Sequence, residues 1–298
     1  MQFIKPALSI TDQIQLLESR GLNFEDKTQA EHFLLNVSYY RLRAYMMPLQ
    51  KDNDPTHTFK VNTFFNQITD YYIFDRKLRL LVFDAIERIE IALRTQIIYT
   101  YCSAYGPWWY EDPALYGTNY NYSKNLAKLD EELDRSSEVF ITHYTNKYTN
   151  PQRPPAWMSL EVTSMGLLSK IYKDLKMCQS KKDIAHYFGL GHPKILESWM
   201  QSISYVRNIC AHHGRLFNRV LTLKPTYPTN TTSAWLKDDN FHHAKIYGFL
   251  SCVIYMLKIV QPHTDFPKRL KELMKEHPVA KPHQMGMSPN WMNEIIWQ

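Results

Sequence analysis

Apolar residues recur at intervals of three and four along most of the chain, and this spacing places them on one face of an α-helix. No convincing run of alternating apolar and polar residues, the pattern of a half-buried strand, interrupts it. The predicted fold class is therefore all-α. After a first helix that begins behind Ser9 or Thr11 and ends at Gly21, the pattern predicts helices near 28–35, 61–101, 124–143, 157–177, 180–188, 194–220 and 240–260.

Turn-forming stretches divide these helices. KDNDPTH precedes the long helix, an aromatic loop (YGPWWYEDPALYG) follows it, and the prolines of TNPQRPP oppose helix continuation. The predicted organisation is an N-terminal helical region (1–50) packed on a helical core (51–262), with the aromatic loop near 103–120 and a C-terminal tail (263–298).

The amino-acid composition argues against a disordered protein and against a simple nucleic-acid coat protein. The hydrophobic fraction of 44% and only 9 glycines among 298 residues argue against global disorder. The net charge of +6 is compatible with a polyanionic partner, but 29 acidic residues are too many for a simple nucleic-acid coat protein.

Three features of the sequence predict a soluble, cytoplasmic protein. Its four cysteines are widely spaced, its N-terminus lacks the apolar region of a signal peptide, and its most apolar stretch is short for a membrane span. The pairs His212–His213 and His242–His243 match no familiar zinc spacing, so we predict neither a metal nor another cofactor.

The segment WMQSISYVRNICAHHGRLFNR (199–219) holds the strongest chemical signal. A helical projection places its residues on two sides and puts Arg207 on the flank between them. His213 falls toward the apolar side, where a structural role is expected. The apolar side holds Trp199, Val206, Ile209, Cys210, Leu216 and Phe217, and the polar stripe holds Gln201, Asn208, His212, Arg215 and Arg219.

The polar stripe carries groups that suit phosphate chemistry. An imidazole such as His212 can transfer protons near neutral pH, and the guanidinium of Arg207 matches phosphate oxygens. Asn208 could orient the ring or bind a phosphate. Together these groups suffice for RNA cleavage by the neighbouring 2′-hydroxyl. The simpler alternative is a surface ion pair beside an ordinary solvated histidine.

RNICAHHGRLFNR resembles the R-N-x-x-x-H motif of HEPN ribonucleases, specifically the AbiD/AbiF-like (Abi_2) abortive-infection family. Further segments match that family in order: SITDQIQLLESRGL, NVSYYRLRAYMMPL, FDAIERIEIALRTQI, YGPWWY and PPAWMSLEVTSMGLLSKIY. The matches span roughly residues 5–220.

The resemblance implies an elaborated HEPN-type helical bundle with an N-terminal extension, and a metal-independent endoribonuclease that acts as a toxin-like effector in phage defence. Its motif residues fall on Arg207, Asn208 and His212. Family members form a composite site across a dimer, and a single motif copy therefore predicts a homodimer. The resemblance also implies that the activity is restrained by a bound noncoding RNA or by an antitoxin protein.

Other residues are candidates for supporting roles. Glu90 and Arg94 form an acid-first i,i+4 pair, which either orients the motif residues or ties helices together. Arg41 and Arg43 lie between tyrosines and, with Arg215, are candidate RNA contacts. Two alternatives remain: a noncatalytic RNA-binding or oligomerising HEPN protein that holds a regulatory RNA, and a helical protein-interaction scaffold.

Overall fold

The computed structural model describes residues 2, 6–117 and 121–298. Residues 118–120, at the end of the predicted aromatic loop, and residues 1 and 3–5 of the N-terminus lie outside the described residues. Within this part of the chain no strand of a sheet forms and only isolated β-bridges occur, which confirms the all-α prediction.

The α-helices follow the predicted order. They are α1 (Ile10–Ser19), α2 (Lys27–Val37), α3 (Tyr39–Met46), α4 (Phe65–Tyr105), α5 (Tyr122–Asp134), α6 (Val139–Lys147), α7 (Ala156–Ser159), α8 (Met165–Asp174), α9 (Gln179–Tyr187), α10 (Pro193–Ala211), α11 (Ile246–Val260), α12 (Phe266–Glu276) and α13 (Pro282–Met285). Short 3-10 turns after α3 (Met47–Leu49), within the aromatic loop and near the C-terminus complete the secondary structure of the described residues.

Two compact units make up the chain, one of residues 1–78 and 271–281 and the other of residues 79–270 and 282–298. The boundary at 78/79 falls inside α4, which is continuous in sequence and helical throughout. The predicted division at residues 50 and 262 rests on sequence signals and stays a prediction.

The first unit begins with the predicted cap. Ser9 Oγ accepts a hydrogen bond from the Asp12 amide, and the Asp12 carboxylate in turn accepts one from the Ser9 amide. This capping box satisfies amides that would otherwise lack a partner at the start of α1. Gly21, with a φ of +85°, follows the end of the helix, as the sequence predicts.

The second unit contains the motif segment. Its most apolar helix, α11, is buried throughout residues 246–257 and forms part of the core. Helix α8 packs against both α5 and α10, and α10 carries most of the motif segment.

Two predicted helices are each divided in the structure. The region 124–143 forms α5 and α6, and 157–177 forms α7 and α8. Ser136 accepts a hydrogen bond from the Glu138 amide between the first two, and Ser164 caps α8 by accepting one from Leu167. Serine side chains compete for backbone partners in this way, and they interrupt a helix that periodicity alone would continue.

No helix in the described part of the chain combines the length and the apolar character that a membrane crossing requires.

Candidate functional site

The start of helix α10 has residues that suit a helix N-terminus. Pro193 occupies the first position, where a missing amide proton is tolerated, and His192 accepts a hydrogen bond from the Lys194 amide at 3.1 Å. Trp199 Nε1 donates to the Thr226 carbonyl at 2.8 Å, which ties the helix to the following loop.

The prediction of a helix through residue 220 was wrong, because α10 ends at Ala211. His213 adopts a left-handed conformation with a φ of 56°, and its amide donates to the Cys210 carbonyl at 3.1 Å. The Gly214 amide donates to the Ile209 carbonyl at 2.8 Å. These two bonds form a Schellman motif, which satisfies the last carbonyls of the helix and turns the chain away.

Gly214 packs tightly against the last turn of the helix. A Cβ atom at that position would lie 3.2 Å from Ile209 Cγ2 and 3.3 Å from the Ile209 carbonyl oxygen. The termination also removes Arg215 and Arg219 from the helical stripe on which the sequence pattern placed them. Their position is therefore set by the loop and not by helical periodicity.

The predicted apolar side of the motif segment is confirmed. All six of its residues are buried, including the two beyond the helix end: Trp199, Val206, Ile209, Cys210, Leu216 and Phe217. The buried side chains hold both the helix and the turn after it against the core. The motif residues on the other side are thereby held at the surface.

His212 caps the C-terminus of α10, and its amide donates to the Asn208 carbonyl at 3.0 Å. The side chains of His212 and Asn208 are both exposed. His213 is exposed as well, which corrects its predicted place on the apolar side. Its left-handed backbone conformation contributes to the turn that ends the helix. An exposed imidazole at a fixed helix end is accessible to a substrate.

Arg207 lies one turn before the end of α10 with 40% of its side chain exposed. Its Nε atom is 3.9 Å from Glu90 Oε2, and its guanidinium carbon lies 5.8 Å from the centre of the Phe83 ring. Within the described residues this Nε is buried and forms no hydrogen bond. The guanidinium is thus held at its inner edge, while its outer part remains available to an anion.

Glu90 is shared between two arginines. Its Oε1 accepts a hydrogen bond from Arg94 at 3.1 Å, and the side chains of Glu90 and Arg94 are only 16% and 9% exposed. Arg94 also donates to the Thr163 carbonyl at 2.8 Å and to the Leu160 carbonyl. Arg94 therefore links α4 to the segment before α8, and Glu90 lies between Arg94 and Arg207. An orienting role for Glu90 stays a prediction.

Cations gather in the loop after the motif. Arg215 donates to the Asn218 carbonyl at 3.4 Å, and Lys245 donates to the Asn218 side chain at 2.8 Å. Burial and the charge of Arg215 lower the pKa of Lys245. The sequence pattern does not indicate Lys245, because its place beside the motif depends on the path of the loop.

Tyr205 connects this loop to α10. Burial raises the pKa of its hydroxyl, but hydrogen bonds from Thr222 and the charge of Arg219 outweigh that effect and lower the pKa overall. Arg219 is therefore close to the polar side of α10 even though it no longer belongs to that helix.

The other candidate RNA contacts, Arg41 and Arg43, lie on α3 in the first unit and are exposed. Arg43 Nη2 is 3.1 Å from His57 Nε2, and the ring of Tyr40 is 83% exposed. Both arginines thus lie outside the unit that contains Arg207, Glu90 and His212.

Among the residues that the structure describes, no group of three or more His, Cys, Asp or Glu side chains is placed to hold a metal ion.

This all-helical chain presents an arginine and a histidine at the C-terminal end of one helix, with a largely buried acid beside the arginine. The model of the Abi-like protein family matches residues 32–218, more than half of the chain. The chain therefore belongs to the Abi-like protein family, and membership suggests a role in abortive infection, a form of phage defence. Searches of curated proteins and of solved structures find no match to the chain.

Proposed function

We propose that this protein is a metal-independent endoribonuclease of the HEPN type that acts in abortive infection. The observation that carries the proposal is the joint placement of Arg207 and His212 at the exposed end of α10. A guanidinium binds phosphate oxygens, and an imidazole transfers protons near neutral pH. Membership of the Abi-like family supports the biological role.

The surroundings of Arg207 support a catalytic position. Glu90 contacts the buried edge of the guanidinium, and the buried Arg94 holds Glu90 in turn. A substrate-binding side chain that is fixed by such contacts loses less conformational entropy when it meets its ligand. Asn208, on the exposed side one turn before His212, is placed to orient the ring or to contact a phosphate.

The proposed reaction is an internal transesterification. His212 removes the proton of a 2′-hydroxyl, and the 2′-oxygen forms a bond to the adjacent phosphorus. The bond from phosphorus to the 5′-oxygen breaks, and that oxygen receives a proton. Arg207 stabilises the negative charge on the phosphorane, where its contact is stronger than in the ground state. The products are a 2′,3′-cyclic phosphate and a 5′-hydroxyl.

A homodimer completes the proposed site. One exposed histidine can act as the base, but a second proton donor is needed for the leaving oxygen. The chain carries a single copy of the R-N-x-x-x-H motif, so we expect the second proton donor to come from another subunit. A second copy related by two-fold symmetry would bring its own Arg207 and His212 to the same phosphodiester.

The test is a cleavage assay on the purified full-length chain with end-labelled RNA and excess EDTA. His212→Ala and Arg207→Ala should bind RNA and fail to cleave it. His186→Ala is a matched control, because His186 is also exposed in the last turn of a helix of the same unit. Cleavage by His212→Ala at the wild-type rate would refute the catalytic assignment.

The composite site has its own test. When wild-type and His212→Ala chains are mixed and reassembled, activity should fall as the square of the wild-type fraction, because a mixed dimer lacks either the base or the acid. A linear fall would mean that each chain cleaves RNA alone, and it would refute the shared site. A chain that binds RNA but never cleaves it would instead support the noncatalytic alternative.

A further inference from the structure

A groove of about 540 Å³ lies beside the motif in the second unit, bounded by α5, α8 and α10. Three exposed lysines line it, Lys124 from α5 and Lys170 and Lys173 from α8. Helix α8 approaches α10 closely at Gly166, where an added Cβ would lie 3.4 Å from Ser204 Oγ. The groove is thus an open channel between three helices that pack together.

The charge of the groove is unbalanced. Among the described residues, no ion pair or hydrogen bond engages the ammonium groups of Lys124, Lys170 and Lys173. Asp174 is the only carboxylate among the described lining residues, and its Oδ2 already accepts a hydrogen bond from the buried Asn125 at 2.9 Å. Three ammonium groups along one channel attract a ligand with several negative charges.

The wall opposite the lysines belongs to α10, the helix that carries the motif. It is formed by polar residues of α10, among them Gln201, Tyr205 and Asn208, which share one helix face because they are spaced by three and four. Asn208 is followed one turn later by His212. A chain of phosphates bound by the lysines would therefore continue along α10 toward the catalytic pair.

The same wall also contains aromatic and apolar side chains on which nucleic-acid bases can stack. The Tyr205 ring is partly exposed, and Leu223, on the loop beside it, is 40% exposed. Aromatic and apolar side chains next to a line of cations are the combination that holds an unpaired strand, because the bases stack while the phosphates bind the cations.

We propose that this groove binds the phosphate backbone of a single RNA strand and guides the strand to His212. The inference rests on the proposed function and adds to it the path of the RNA. The strand is either a substrate or a resident regulatory RNA, since both present the same phosphates.

The test removes the three lysines together, as Lys124→Ala, Lys170→Ala and Lys173→Ala, in the full chain with His212→Ala to keep the RNA intact. Binding of a labelled single-stranded RNA is measured as a function of salt. The variant should bind roughly tenfold more weakly or worse, and the slope of log affinity against log salt should fall by about 2, since each phosphate contact on a single strand contributes about 0.7.

A matched control loses the same charge elsewhere. Lys147→Ala, Lys182→Ala and Lys237→Ala remove three exposed lysines of the same unit that do not line the groove. The control should bind RNA nearly as well as the parent, and both variants should unfold at the parent's temperature. Equal weakening in the two triple variants would overturn the groove assignment. Equally tight binding of polyglutamate would overturn the preference for RNA.

The remaining measurements separate this inference from the proposed function. If the groove variant binds RNA normally while His212→Ala abolishes cleavage, the groove assignment is wrong and the nuclease stands. If the wild type never cleaves RNA but the groove variant loses RNA binding, the proposed nuclease activity is wrong and the groove assignment holds.

Nucleic acid that copurifies with the wild type but not with the groove variant would identify a resident RNA as the ligand of the groove. If the same nucleic acid copurifies with both proteins but the groove variant no longer binds added RNA, the ligand of the groove is the substrate.

Discussion

Two ion pairs on α4 have the same sequence spacing but different surroundings, and their removal should have different effects. Glu90–Arg94 and Asp84–Arg88 are both acid-first i,i+4 pairs in the second unit. Arg94 is 9% exposed and donates to Glu90 and to two carbonyls. Arg88 is 26% exposed and donates to the half-exposed Asp84 and to the side chain of the exposed Gln261. We predict that Arg94→Met destabilises the protein far more than Arg88→Met.

The magnitude follows from what each substitution leaves behind. Without Arg94, a largely buried carboxylate and two carbonyls lose their donor, and the free energy of unfolding should fall by about 3–5 kcal/mol. Without Arg88, Asp84 still contacts Arg269 at 3.0 Å and water reaches its carboxylate. The loss should then stay below about 1 kcal/mol, the usual range for exposed pairs.

Urea unfolding followed by circular dichroism measures the difference. With a dependence of about 2 kcal/mol per M, the midpoint should move by about 1.5–2.5 M for Arg94→Met and by less than about 0.5 M for Arg88→Met. Equal shifts in the two variants would refute the reasoning, because they would show that burial of the Glu90–Arg94 pair does not determine its contribution to stability.

Three further predictions concern the site. Glu90→Gln keeps an acceptor for Arg94 but removes the charge that faces Arg207, so kcat should fall roughly 10- to 100-fold while KM changes little, as steady-state kinetics would show. Gly214→Ala places a methyl group against Ile209 and should lower stability by about 1–3 kcal/mol in thermal unfolding, whereas an unchanged melting temperature would contradict the close approach. His213→Asn should keep wild-type stability and cleavage, because asparagine tolerates the left-handed conformation, and His213→Val should cost about 1–2 kcal/mol in the same assay.

Much of the local structure was predictable because helices are built from contacts three and four residues apart. The Ser9 cap, the turn at Gly21 and the six buried residues of the motif segment all follow from such local patterns. The match to the Abi-like family over residues 32–218 likewise confirms the family indicated by the order of the motifs.

The end of α10 was not predictable from periodicity. Polar and apolar residues continue at helical spacing through Arg219, but the left-handed backbone of His213 and the small size of Gly214 stop the helix at Ala211. Helix termination depends on how a few residues satisfy the final carbonyls, and burial of Leu216 and Phe217 adds a tertiary contribution to that choice.

Local sequence patterns account for the order of the helices, for the apolar side of the motif segment and for the exposed His212 and Asn208 on its other side. Tertiary packing places Glu90 beside Arg207 and brings three lysines from two helices to one groove. Residues distant in sequence meet only when helices pack. Side-chain shape and burial throughout the core control that packing, whereas sequence periodicity reports only the face of a single helix.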